Sequence, residues 1–168
     1  MIVDQECQLM GNVNTFVYYL TATKQKLHSY MPREHETKID QYLNWYLSVM
    51  KPSTQRLIKV IVGPKAFGHE LYPGDEVEAA KLSFLNDILK RVELLFDNRD
   101  YLITAIEPTV IDIIFYHEIS TALMLTRIKN FKGQFPRLST WIKNMGDIHE
   151  LNEQEIKLVK VIEDYQLE

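Results

Sequence analysis

The 168-residue sequence contains very little cysteine and no long uninterrupted apolar run. Cys7 is its single cysteine, which excludes an internal disulfide and a site built from several thiolates. Residues 101–116 are the most apolar stretch, but Glu107 and Asp112 interrupt it, so it lacks the roughly 20 apolar residues of a membrane-spanning helix. No basic segment precedes an apolar one after Met1, so no signal peptide is visible. We therefore expect a cytoplasmic protein that does not insert into a membrane.

Neither sign of charge dominates the composition. The chain has 19 Lys and Arg against 23 Asp and Glu, which gives a net charge of −4. Nucleic-acid binding proteins need a basic excess, so nucleic acid is not expected as a partner. His117-Glu118 begins a His-Glu-x-x-His zinc motif, but Thr121 stands where the second histidine would be. No metal site is predicted, and His117 is interpreted as a core histidine.

Apolar residues recur at helical spacing along most of the chain. The clearest stripe has steps of four, three and four residues and consists of Ile39, Leu43, Tyr46 and Met50. Pro52 lacks a backbone donor and predicts a kink or break, after which the helix resumes and ends at Gly63-Pro64. Further helices are predicted over residues 9–24, 76–96 and 109–125, from Pro136 and from Asn152, with a loop over 65–75. The predicted fold class is all-α, with six or seven helices.

The helix predicted over 109–125 is apolar on nearly all sides, which is typical of a helix at the centre of a fold. Thr109 and Asp112 have the spacing of an N-terminal capping box, in which side chain and backbone of the two residues bond reciprocally. A carboxylate inside an apolar helix also invites a catalytic interpretation. Capping already supplies Asp112 with partners, so a structural role is the simpler prediction.

Three stretches resemble the C-terminal domain of theta-class-like glutathione transferases. They are the capping box that opens the apolar helix, Lys38–Trp45 soon after Pro32, and Pro136–Trp141 with its Pro-x-Leu-x-x-Trp pattern. Their order and spacing agree with the family from residue 32 to residue 164. The resemblance implies a helical domain over 32–168. It implies that residues 1–31 are a remnant of the family's thioredoxin-like domain plus a linker, with a strand over Val3 to Leu9 and a helix ending at Leu20.

The departures from the family bear on chemistry. The family's Glu-Ser or Gln-Ser pair, which holds the γ-glutamyl end of glutathione, would fall at Asn12-Val13, and these side chains offer neither the carboxylate nor the hydroxyl. The family's glycine before the central helix is replaced near Ala105-Ile106. We therefore expect no catalytic residue and no cofactor. The alternative is a glutathione-dependent transferase whose thioredoxin-like half belongs to another chain, and glutathione is its cofactor only under that alternative.

Tyr42, Trp45 and Tyr46 lie on consecutive turns of the first long helix. In the family this helix and the central one flank the pocket for electrophilic substrates, so the resemblance implies a vestigial apolar pocket. Packing in the core or at an interface is the simpler interpretation, because aromatic side chains commonly serve both.

Two surfaces are candidates for a protein partner. Loss of the thioredoxin-like domain would leave an apolar flank around Phe16, Tyr18 and Tyr19. Residues 119–146 contain no acidic residue and five basic ones, which are Arg127, Lys129, Lys132, Arg137 and Lys143. They form either a docking patch for an acidic protein surface or a site covered by the acidic tail after residue 149. The function predicted from the sequence is a non-catalytic scaffold subunit, held in a large assembly by a protein partner or by self-association.

Overall fold

A computed structural model describes residues 2–4, 7–9, 30–68, 70–96 and 98–147. Near the start of the chain, strand β1 (Ile2–Asp4) pairs antiparallel with strand β2 (Cys7–Leu9), and Ile2 lies opposite Leu9. The resemblance implied one strand over this segment, whereas the structure has two short ones. The helices expected over 9–24 and from Asn152 lie outside the described residues, apart from Leu9 itself.

Six helices follow within the described part of the chain. Helix α1 covers residues 36–61 after a 3-10 turn at Arg33–His35, and its three segments are Glu36–Trp45, the π-helical Tyr46–Met50 and Lys51–Ile61. Helix α3 covers residues 74–95 as Gly74–Ser83, the π-helical Phe84–Leu89 and Lys90–Leu95. The others are α2 (Gly63–Phe67), α4 (Val110–Thr126), α5 (Phe131–Gln134) and α6 (Pro136–Gly146).

Two proline positions differ from expectation. At Pro52, where a kink or break is predicted, helical structure continues, with a π-helical turn just before the proline, whose ring crowds the carbonyl four residues back. Gly63-Pro64 does not end helical structure either. Pro64 lies in the first turn of α2, where a missing N–H costs nothing, and the chain leaves α2 at Gly68 with φ of +66°.

The four longest described helices surround one core. Helix α1 packs against α3 and α4, and α6 packs against the same two. Helix α4 buries most of its length, and its buried residues are Ile111, Asp112, Phe115, Tyr116, Ile119, Ser120, Ala122, Leu125 and Thr126. The predicted all-α bundle with a buried central helix is therefore confirmed. None of the helices in the described ranges is both long and apolar enough to cross a bilayer.

Candidate functional site

Asp112 is the most deeply buried ionisable side chain of the described bundle, with no exposed surface. Its Oδ2 accepts hydrogen bonds from the backbone N–H and the hydroxyl of Thr109, both at 2.8 Å. Its Oδ1 accepts from the backbone N–H of Leu102 at 2.8 Å and from Trp141 Nε1 at 3.0 Å. The capping box at Thr109 and Asp112 is thus present, and its carboxylate also ties the preceding loop and α6 to α4.

These contacts decide what Asp112 can do. Burial raises the pKa of its carboxyl, while the four hydrogen bonds act in the opposite direction and favour the charged form. Both oxygens accept two bonds each, so little acceptor capacity is left for a substrate. The geometry favours a structural role for Asp112.

The three aromatic residues singled out on α1 surround Phe115 of α4. Ring-centre distances to Phe115 are 6.0 Å for Tyr42, 5.6 Å for Trp45 and 6.4 Å for Tyr46. Edge-on and tilted contacts at such distances stabilise aromatic clusters beyond the area they bury. Phe115 therefore fixes the positions of all three rings, but it does not bring them to one pocket.

Tyr46 turns inward, where its hydroxyl donates to Glu118 Oε2 at 3.1 Å. The Nζ of Lys51 lies 5.9 Å from the centre of the Tyr46 ring. Burial raises the pKa of Glu118, while the hydrogen bond from Tyr46 and the charge of Lys51 lower it. Burial, followed by the Glu118 charge, also raises the pKa of Tyr46. A phenol with a raised pKa stays protonated at neutral pH, so Tyr46 has no phenolate with which to act as a base. The pair fits a packing role between α1 and α4.

Sequence reasoning missed the pair, since it considered Glu118 only as part of a failed zinc motif. The two residues are 72 positions apart, and no local spacing relates them. The one available signal was a carboxylate on an otherwise apolar helix, which requires a partner when buried. His117 is only partly buried, which differs from the expected core position, and its ring lies 5.8 Å from that of Tyr116.

Tyr42 and Trp45 also face a groove between α1 and α3. The cavity has a volume of about 320 Å³, and its lining residues are Lys38, Gln41, Tyr42, Trp45, Arg91 and Leu95. We call it the α1–α3 groove. No residue of α4 lines it, so it differs in position from the vestigial pocket that the resemblance implied between the first long helix and the central one.

Arg127 follows the carboxyl end of α4, Lys129 lies between α4 and α5, and Lys132 lies in α5; all three are exposed. We call these three residues the basic turn. Arg127 has φ of +48° and Asn130 has φ of +52°, both in the left-handed region that favours glycine. A positive side chain at this helix end interacts favourably with the helix dipole, which offsets part of the cost of the backbone conformation.

The other predicted site residues lie outside the described part of the chain. They are Phe16, Tyr18 and Tyr19 of the candidate apolar flank, and Asn12-Val13 at the position of the family's glutathione-binding pair. Within the described ranges, no group of three or more His, Cys, Asp or Glu side chains could hold a metal ion.

No protein-family model and no curated protein sequence matches this chain. Among solved structures, human glutathione transferase theta-2, in complex with glutathione and an unknown ligand, matches 97% of the chain with a TM-score of 0.81 and 17% identity. The apo form of human glutathione S-transferase T1-1 matches 94% of the chain with a TM-score of 0.77 and 19% identity. The chain spans 67% and 66% of the lengths of these two proteins, or about two thirds. The bundle therefore has the all-α fold of a glutathione transferase C-terminal-like domain.

Proposed function

We propose that this chain is a non-catalytic interaction or scaffold subunit of a larger protein assembly in the cytoplasm. The observation that carries the proposal is the basic turn. Its three side chains, Arg127, Lys129 and Lys132, are exposed and lie between α4 and α6 in the chain, in a stretch without acidic residues from 119 to 146. Such a surface is complementary to an acidic protein surface and would both attract and orient it.

The buried polar groups support a non-catalytic role. Asp112 is occupied by four donors, and Glu118 is paired with Tyr46. Under this proposal the chain needs no cofactor, since Asn12-Val13 lacks the groups by which the family holds glutathione.

Co-purification with charge-reversed variants tests the proposal. We expect the tagged chain to retain protein partners from a native lysate, and Arg127→Glu with Lys132→Glu to release them. The matched control is Arg56→Glu with Lys90→Glu, which reverses two exposed cations on α1 and α3 and should leave retention unchanged. Equal loss in both double variants, or partners that stay bound to the first, would contradict a role of the basic turn.

The alternative function is a glutathione-dependent transferase completed by another chain, and it rests on the shared fold with a transferase solved in complex with glutathione. Immobilised glutathione separates the two hypotheses. The scaffold proposal expects no retention of the purified chain and no conjugation of glutathione to a small electrophile. Retention that free glutathione competes away would overturn it.

A further inference from the structure

We propose that the α1–α3 groove is a binding site for a small aromatic carboxylic acid. The groove combines two cationic side chains, Lys38 and Arg91, with the aromatic rings of Tyr42 and Trp45. This combination matches a ligand that carries a flat apolar ring and one negative group. The site is separate from the basic turn and does not depend on the proposed scaffold function.

The two charged side chains that line the groove are both positive, and the negative charge of the buried Asp112 also reaches Tyr42. Lys38 and Arg91 line the groove, and no acidic side chain does. Burial lowers the pKa of the Lys38 ammonium, and the charge of nearby Arg99 lowers it further. The Arg99 guanidinium is held in place because it donates to the carbonyl oxygens of Leu95 at 3.0 Å and Ile103 at 3.3 Å. The positive charges of Lys38 and Arg99 repel each other, and a carboxylate bound in the groove would relieve that repulsion.

The apolar part of the groove is held in position by the core. Tyr42 and Trp45 both contact the fully buried Phe115, so their rings cannot turn freely. Leu95 adds an aliphatic surface, and the amide of Gln41 can donate as well as accept a hydrogen bond. When the flat ring of a ligand stacks on aromatic side chains that are already fixed, little binding free energy is spent on ordering the protein.

The size of the groove limits the ligand. Its volume of about 320 Å³ lies near the lower end of small-molecule pockets, which range over roughly 300–1,000 Å³. A one- or two-ring acid is small enough for this space, and its charged group can pair there with Lys38 and Arg91. A groove of this kind distinguishes an acid from a neutral molecule of the same shape, because only the acid pairs with Lys38 and Arg91.

Calorimetric titration of the full chain with 2-naphthoate and with neutral 2-naphthamide tests the assignment. We expect 2-naphthoate to bind about tenfold or more tightly than the amide, and Arg91→Gln or Lys38→Gln to remove most of that difference. Arg56→Gln, an exposed change on α1 away from the groove, should bind as the parent does, and so should the basic-turn variant Arg127→Glu with Lys132→Glu. Equal affinity for acid and amide, or unchanged binding after both groove substitutions, would overturn the proposal.

Tryptophan emission gives a second readout that locates the ligand. Trp45 is partly exposed at the groove, whereas Trp141 is 1% exposed and buried beside Asp112. We expect 2-naphthoate to change the emission of the parent chain and not that of Trp45→Phe. Light scattering on the same samples tests whether a second copy of the chain fills the groove instead. A dimer that Arg91→Glu dissociates and that excludes 2-naphthoate would also overturn the proposal.

Discussion

Asp112 holds together three parts of the bundle through four hydrogen bonds. Its carboxylate connects the start of α4 with Leu102 in the preceding loop and with Trp141 on α6. Buried N–H and O–H donors have no access to water, so all four donors to Asp112 depend on its carboxylate as their acceptor. The residue carries the kind of buried charge that is costly when its partners are removed.

We expect Asp112→Asn to lower the free energy of unfolding by about 3 kcal/mol. The amide keeps one acceptor oxygen but places an NH₂ group against N–H and O–H donors. Chemical denaturation of the purified variant measures the loss. The control is Asp87→Asn on the exposed side of α3, which should change stability by less than about 0.5 kcal/mol. A loss at Asp112 as small as the control would contradict the structural role.

Glu118 makes stability depend on pH. Because burial raises the pKa of Glu118 above its usual value of 4.5, the folded chain binds this proton more tightly than the unfolded chain. The stabilising contribution of the group is thus fully present below the unfolded pKa and is lost as the pH rises through the folded pKa.

Glu118→Gln removes this titration and keeps an oxygen that accepts from Tyr46. We therefore expect the free energy of unfolding of Glu118→Gln, minus that of the parent chain, to increase between about pH 4 and pH 8. Urea denaturation at several pH values measures the difference. A difference that falls over this range would mean that the charged carboxylate, rather than the protonated one, is favoured in the folded chain.

At the scale of elements, the start of α6 combines a local signal with a tertiary one. Pro136 lies in the first turn of α6, where proline is favoured. The N-cap residue, Phe135, has no side-chain acceptor, and the carboxylate of Glu93 on α3 accepts instead from the N–H groups of Arg137 at 3.1 Å and Leu138 at 2.8 Å. A neighbouring helix therefore supplies the cap that the local sequence lacks.

The end of α2 depends on a glycine. Gly68 has φ of +66°, and no atom lies within 4 Å of a Cβ placed there, so only the backbone conformation opposes a side chain. We expect Gly68→Ala to destabilise the protein by about 1 kcal/mol. Gly74→Ala is the matched control, since its surroundings are equally open and its φ is not positive, and it should be neutral or stabilising by up to about 1 kcal/mol. Thermal denaturation compares the two variants, and equal effects would contradict the argument.

At the scale of the whole molecule, the bundle keeps the fold of theta-class glutathione transferases at 17% identity. A few features of the described bundle account for this fold. Helix α4 is apolar on nearly all sides and capped by Thr109 and Asp112, and α6 returns Trp141 to that cap. Volume and hydrophobic pattern suffice to specify such a core, so most other positions are free to differ.

The proposed role of the basic turn predicts a dependence on salt. Charge pairs at a solvent-exposed interface are screened over about 10 Å at 0.1 M salt and over about 3 Å at 1 M. We therefore expect partners that co-purify with the chain to be released as NaCl is raised over this range, and the Arg56→Glu, Lys90→Glu control to show the same release. Partners that stay bound at 1 M NaCl would indicate an apolar interface instead.

The sequence by itself determined the all-α class, the buried central helix and its capping box, because these depend on periodicity and on contacts three or four residues apart. The sequence predicted that Pro52 would disturb the helix, but it did not predict a π-helical turn. Only the tertiary structure decided that Tyr46 pairs with Glu118, that Trp141 reaches Asp112 and that Glu93 caps α6. These partners are 29 to 72 residues apart, so the packing of helices brings them together and no local pattern records it. The α1–α3 groove exists for the same reason, since α1 contributes four of its six lining residues and α3, distant in sequence, contributes the other two.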